Sequence, residues 1–401
     1  MKKYILLQSN CSVAYTDTGT DDKVFVNEQE VRSEEGDGRP PKEIAEAQAK
    51  NKFYDGFLKK HFKHIVILTA AGTSLDNGDN RDKCGKTRDG LWTECQTKID
   101  AFKSKIGGFE NKPFYLNKDI EGVLSHIVLY EKIHGVITDD SGKCLRNLLE
   151  TKISQSCKLD LQQQAPHKDF LNKITARKNN DARVQLFTTN YDTLFEQAAN
   201  QAGFAVIDGF SFTHPREFSG KWFDLDIVNR EKTRLKHEES FVSKVFHLYK
   251  LHGSLNWTKD NDKIIQEVNS DNPLIIYPAS EKYESSYEQP YFEMMSRFQQ
   301  ALRKEETLLI IIGFGFQDKH IKNVIVEAVE QNPSFQLLIV NYNGNGSIST
   351  EHLDEFFSDK DNFKVRRNVN IVFDKFKDFT EKYPENFTYY PRDKEYATIQ
   401  S

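Results

Sequence analysis

No two of the five cysteines in this 401-residue chain stand in a C-x-x-C pair. Cys11, Cys84, Cys95, Cys144 and Cys157 are scattered and odd in number, so neither a disulfide framework nor a tetrathiolate zinc site is indicated. Long apolar runs are missing too. Stretches such as Leu308–Ile312 fall far short of the roughly 20 residues that cross a bilayer. Met1–Asn10 lacks a secretory h-region and cleavage motif, and the expectation is a soluble protein of a reducing, cytoplasmic compartment. Nor is charge of one sign in excess: 55 Lys+Arg against 60 Asp+Glu leave a net charge of −5, with no global pull toward nucleic acid or anionic membrane. Polyanion binding would need a local patch. Internal repeats and low-complexity tracts are also absent.

What is present is aromatic and periodic. Phe (29) and Tyr (16) dominate an aromatic content of 12%, which suits extensive core packing or an adhesive interface. Short, β-branched apolar runs at His64–Thr69, Val184–Thr188, Val245–Leu251, Thr307–Ile312 and Leu337–Val340 read as strands, with Leu274–Tyr277 and Asn370–Phe373 as further candidates. Between them lie amphipathic helical patterns, including Asp192–Ala202, Tyr291–Arg303 and a helix N-capped by Asp318 with Ile321, Val324, Ile325 and Ala328 on its inner face. Strands buried on both sides alternating with such helices predict an α/β class: a doubly wound, mainly parallel, Rossmann-like sheet. Residues 43–92 and 181–401 are assigned to it. Residues 93–180 read as a helical insertion, with helices at Ile120–His134, Lys143–Ile153 and His167–Ala176. Residues 1–42 read as a short N-terminal appendage, in which Tyr4–Leu7 pairs with Val24–Val26 and the charged Arg32–Pro41 is mobile. Glu43–Phe62 is expected as one helix.

Ligands of open α/β sheets sit at the carboxyl ends of the strands, and two strand ends here carry chemistry. Phe187-Thr188-Thr189-Asn190-Tyr191-Asp192 places an amide and a carboxylate at one; Leu251-His252-Gly253-Ser254 places an imidazole at another. A histidine of ordinary pKa, about 6.5, is half-poised near neutrality to accept a proton. Of the eleven histidines only His252 is nominated as a base, with His214 close to the ligand; His61, His64, His167, His237 and His247 are read as surface or packing residues. Asp192 serves equally well as a helix cap and Asn190 as a turn residue. Two glycine turns follow apolar strands, Ala70-Ala71-Gly72-Thr73-Ser74 and Gly313-Phe314-Gly315-Phe316, and each would let a ligand approach the backbone. A strand-to-helix turn without a ligand is the competing reading of the first. Asn341 offers an amide to a ribose hydroxyl, or simply begins a turn before Asn343-Gly344.

Taken in order, Ala70–Ser74, Arg88-Asp89-Gly90-Leu91-Trp92, Thr189–Leu194 and Leu251–Ser254 resemble the motifs of the sirtuin family across roughly residues 60–345. The cysteine pairs of the zinc ribbon found in protein-deacylating members are absent. Gly313-Phe314-Gly315 running on to Asp318-Lys319-His320-Ile321 is similar to the sirtuin-like domains of bacterial anti-phage defence proteins, which destroy NAD. The architecture is most similar to the sirtuin-like subunit that partners a HerA-type hexameric ATPase.

The resemblance implies an NAD glycohydrolase that releases nicotinamide and ADP-ribose without a metal. It implies Asn190, Asp192 and His252 as catalytic residues, and Ala71, Gly72, Thr73, Ser74, Asp76, Arg88, Gly253, Gly313, Phe314, Gly315 and Asn341 as cofactor contacts. It also implies a homo-oligomer, a HerA-type partner, nucleic acid engaged only through that partner, and no membrane. ADP-ribose transfer, sirtuin-type deacylation and a non-catalytic nucleotide-sensing module that regulates the ATPase are the alternatives.

Overall fold

The computed structural model describes residues 2–17, 19, 22–31, 39–178, 181–229, 241–267, 270, 273–275, 289–342 and 352–385. Four short strands open the chain: β1 (Lys2–Gln8), β2 (Cys11–Thr16), β3 (Val24–Val26) and β4 (Gln29–Val31). Helix α1 (Pro41–Ala49) widens into a looser turn that ends at Tyr54, well before Phe62. Then come β5 (His64–Thr69), α2 (Ala71–Leu75), α3 (Arg88–Lys105), α4 (Pro113–Leu116), α5 (Ile120–His134), α6 (Leu145–Cys157) and α7 (His167–Ile174). Next are β6 (Gln185–Thr188), α8 (Leu194–Ala202), β7 (Ala205–Ile207), β8 (Arg216–Glu217), β9 (Val245–Lys250), β10 (Trp257–Asp260) and β11 (Lys263–Gln266). The chain continues through α9 (Tyr291–Leu302), β12 (Thr307–Ile312), α10 (Lys319–Gln331), β13 (Gln336–Val340), β14 (Phe357–Asp359), β15 (Lys364–Val365), β16 (Val369–Val372) and α11 (Phe376–Lys382).

The main sheet has 11 strands in the order β4-β3-β2-β1-β16-β13-β12-β5-β6-β9-β7. From β16 to β7 every neighbouring pair is parallel. β5 lies at the centre because His64-Ile-Val-Ile-Leu-Thr69 is apolar on both faces and can be covered on both. One face packs Val66, Leu68, Leu309 and Ile311 against α9 and α10; the other packs Ile65, Ile67, Leu308 and Ile310 against α1, α7, α8 and α11. After β5 the chain builds β6, β9 and β7 to one side, then returns to build β12, β13 and β16 on the other. The reversal between β5 and β12 is the switch point at which such sheets open a crevice.

Three expectations are corrected by this arrangement. Tyr4–Leu7 does not pair with Val24–Val26; β2 lies between them, burying Val13 and Ala14, and bonds to both. The amino-terminal strands also lengthen the sheet, since β1 pairs antiparallel with β16 through Leu6–Val372 and Leu7–Ile371. The insertion has its own core, built on Trp92, Ile99, Phe102, Val123, Leu124 and Leu149, but this core starts with α3 at Arg88, and α7 instead covers the sheet through Phe170 and Leu171. Residues 32–38 of the segment expected to be mobile lie outside the described residues, as do 276 and 277 of the candidate strand Leu274–Tyr277; Ile275 makes a single bridge to Gly253. β10, β11 and β8 form a separate, small antiparallel sheet.

Candidate active site

The carboxyl ends of β5, β6, β9 and β12 converge. Thr189 N–H donates to Thr69 O (3.0 Å) and Leu251 N–H to Thr188 O (2.8 Å), so the parallel pairing is carried past the strands into the turns. Lys250, the last residue of β9, is 2% exposed. Its ammonium donates to the carbonyl of Asp192 and to Glu196 Oε1 at 3.1 Å. Burial pushes the Glu196 carboxyl up, and the charge of Lys250 opposes that rise. The ammonium therefore props the Asn190–Asp192 turn from beneath. A lysine ending an otherwise apolar strand gave no sign of this role.

Asn190 reaches across from β6 to the turn after β5. Its Nδ2 donates toward Ala70 O (3.1 Å), Thr73 Oγ1 (3.1 Å) and Ser74 Oγ (2.9 Å). Ser74 Oγ in turn donates to Asp192 Oδ2 at 2.6 Å, and Asp192 Oδ1 accepts from Leu194 N–H at 3.1 Å. Asp192 thus both starts α8 and orients Asn190, with Ser74 as the relay. Since the side-chain bonds of Asn190 to the described residues all engage Nδ2, its Oδ1 is the atom suited to receive a hydroxyl or water.

Several residues expected to touch a cofactor have other work. Thr73 and Ser74 are buried, and their hydroxyl hydrogens go to Ala70 O (2.9 Å) and Asp192, which leaves neither hydroxyl a hydrogen to offer a cofactor. Asp76 Oδ2 accepts from Lys377 N–H at 2.6 Å, capping α11. Gly72 and Gly313 face each other: Gly72 N–H donates to Gly313 O at 3.2 Å, and a Cβ on Gly72 would lie 2.4 Å from the Cα of Gly313. These glycines let two backbones meet. A Cβ on Gly253 would strike Leu274 O, whereas Gly315 has nothing within 4 Å of that position and Ala71 is exposed. Phe314 packs edge-on to Phe316. Arg88 is exposed and donates to Gln317 Oε1 (2.5 Å) and Lys118 O (3.1 Å), tying α3 to the second glycine turn. Asn341 is half-buried at the end of β13, where its N–H bonds Val372 O.

His252 is the electrostatic centre. Its side chain is 5% exposed, with Nε2 at 3.1 Å from Asp318 Oδ2 and Nδ1 at 3.4 Å from Glu121 Oε1. Burial by itself would lower its pKa, but the charge of Glu121 and the hydrogen bond to Asp318 outweigh burial and raise it to about 10. This corrects the expectation of an ordinary histidine: with both carboxylates in place the ring is an imidazolium. Asp318, which burial would raise, is instead held below the usual carboxylate range by His252. Its other oxygen caps α10 at His320 and Ile321. The sequence revealed only that second role, and nothing in it pointed to Glu121.

The raised pKa carries a stability signature. An unfolded histidine titrates near 6.5, so the contribution of His252 to stability is full below about pH 6.5 and is lost as pH rises toward about 10. Thermal melts of the wild type should therefore fall more steeply over that window than those of His252→Gln; parallel curves would reject the raised pKa.

Residues 184–362 match the SIR2-like domain family. The SIR2-like stretch contains Asn190, Asp192, His252, Gly313, Asp318 and Asn341; the Gly72 turn, Arg88 and Glu121 lie before it. Two solved structures of Sir2 homologue point mutants, each a complex with ADP ribose, are similar to this chain at 14% identity. One covers 70% of this chain and 81% of its own with a TM-score of 0.34; for the other the values are 72%, 85% and 0.35. No curated protein matches. Among the described residues, no helix is long and apolar enough to cross a membrane, and no group of three or more His, Cys, Asp or Glu is placed to hold a metal ion.

Proposed function

We propose that the protein hydrolyses the nicotinamide N-glycosidic bond of NAD. The observation that carries this reading is the pairing of two constellations at adjacent strand ends: His252 between Asp318 and Glu121 after β9, and the Asn190–Ser74–Asp192 relay after β6. The SIR2-like match over residues 184–362 supports a nucleotide of this kind. The nicotinamide leaving group is a cationic pyridinium and departs without a general acid. What has to be stabilised is the ribosyl cation, and a site with carboxylates held in fixed positions favours developing positive charge. Asn190 Oδ1 orients the ribose or the attacking water, His252 accepts the proton once its ring is neutral, and the open backbone around Ala71 and Gly315 gives the dinucleotide its approach.

The biological setting follows the motif resemblance. The protein acts as an oligomer with a HerA-type ATPase and depletes NAD during phage infection. Leu116, Ile133 and Val136, exposed on the helical insertion, supply apolar surface for such contacts. Incubating the chain with NAD, alone and with the partner ATPase, and quantifying nicotinamide and ADP-ribose tests the reading. Intact NAD in both reactions, or ADP-ribose recovered attached to protein, would overturn it.

A further inference from the structure

Glu121 is the second residue of α5, in the insertion rather than in the sheet. The helix starts where it does because Asp119 caps Gly122 N–H at 3.1 Å. From there the Glu121 carboxylate meets two groups of the sheet, Nδ1 of His252 at 3.4 Å and the hydroxyl of Tyr191, which donates to it at 3.0 Å. The insertion meets the sheet again at Arg88–Gln317, one residue from Asp318. Because α3 to α6 enclose a core of their own, the way the insertion docks on the sheet decides where Glu121 stands.

The surroundings of the ring make that position matter. Asp318 faces it from the turn before α10, Glu121 from α5, the Tyr191 phenol from the end of β6, and the Tyr291 phenol, at the start of α9, lies in the field of both carboxylates. His320 lies beside Asp318, and Arg88 is bound to Gln317. Asp318 is anchored as a helix cap and is 9% exposed, whereas the side chain of Glu121 is 38% exposed on the outer side. Of the two carboxylates, Glu121 is the one that can leave.

We propose that Glu121 is a positioning residue delivered by the helical insertion, a removable clamp that locks His252 between two carboxylates and sets whether the ring can accept a proton. With the clamp on, both ring nitrogens carry hydrogen and neither has a lone pair to offer. With Glu121 withdrawn, Asp318 still orients the ring through Nε2, and Nδ1 faces the space vacated. Its consequence for turnover rests on the hydrolase reading above: a water O–H gives its proton to Nδ1, the water oxygen bonds to the ribosyl carbon, and the electron pair of the breaking bond goes to the pyridinium nitrogen, releasing neutral nicotinamide.

Glu121→Ala removes the charge and opens the space beside Nδ1, while Asp119 still caps α5. The experiment is an NMR titration of histidine-labelled full-length protein, with His252 assigned from the His252→Gln spectrum, beside nicotinamide release at pH 7 with kcat and KM separated. The His252 midpoint should fall by about 1–3 pH units, and kcat should rise about tenfold. An unchanged midpoint overturns the clamp. A lowered midpoint with no faster release from an active protein overturns its role in turnover. A lowered midpoint with no nicotinamide from either protein sustains the clamp and rejects the hydrolase reading instead.

Discussion

His252→Gln and Asn190→Ala should each lower nicotinamide release from NAD by about 10²- to 10⁴-fold, the range that a positioned proton acceptor or orienting group supplies. The two losses have different origins. Glutamine retains a donor for Asp318, so α10 keeps its cap and the fold survives, but an amide cannot accept the proton. Alanine at position 190 removes the side chain that donates to both Thr73 and Ser74, leaving Asp192 and Ser74 paired but aimed at nothing. The loss should appear in kcat more than in KM for His252→Gln, and in both for Asn190→Ala. Thermal melts close to wild type must accompany the losses. Wild-type turnover in both variants would remove these residues from the chemistry.

Gly313→Ala should be the most damaging small substitution in the sheet. Its φ is +69°, a region where a Cβ costs roughly 1–2 kcal/mol, and the added carbon would lie 2.5 Å from the Cα of Gly72. Neither backbone can retreat, because each continues a buried parallel strand, and overpacking of this kind adds about 1–3 kcal/mol. A combined loss of about 3 kcal/mol would appear as a clear drop in the midpoint of chemical unfolding. Gly315→Ala is the control two residues away. It has no positive φ and no neighbour for a Cβ, so its stability should change by well under 1 kcal/mol. Equal midpoints for the two variants would refute the contact between the two turns.

Sequence periodicity revealed the parts of this molecule whose neighbours are dictated locally. His64–Thr69 and Thr307–Ile312 were legible because an unbroken β-branched run can only be a strand covered on both faces. Ile120–His134 was legible because Asp119 and Gly135 bracket it. β2 was not, since Cys11–Thr16 mixes polar and apolar residues and is defined as a strand by β1 and β3 on either side of it. At the site, the sequence nominated Asn190, Asp192 and His252 but left their partners unspecified. The need for glycine at positions 72 and 313 was visible, yet a missing Cβ admits a ligand and another backbone alike. Asp318 was recognised for one of its two oxygens. Glu121 was invisible because its contact depends on how the insertion docks, which no local pattern encodes.

The eleven-stranded sheet ends in β4 on one side and β7 on the other, each three residues long. An edge that short offers an incoming chain only two or three hydrogen bonds, and β4 adds the charge of Glu30 to that poor template. Strand addition is therefore a weak route to self-association for this protein. Copies or partners that assemble with it must grip side chains on its helical layers, where contacts can form and break without the sheet being rebuilt.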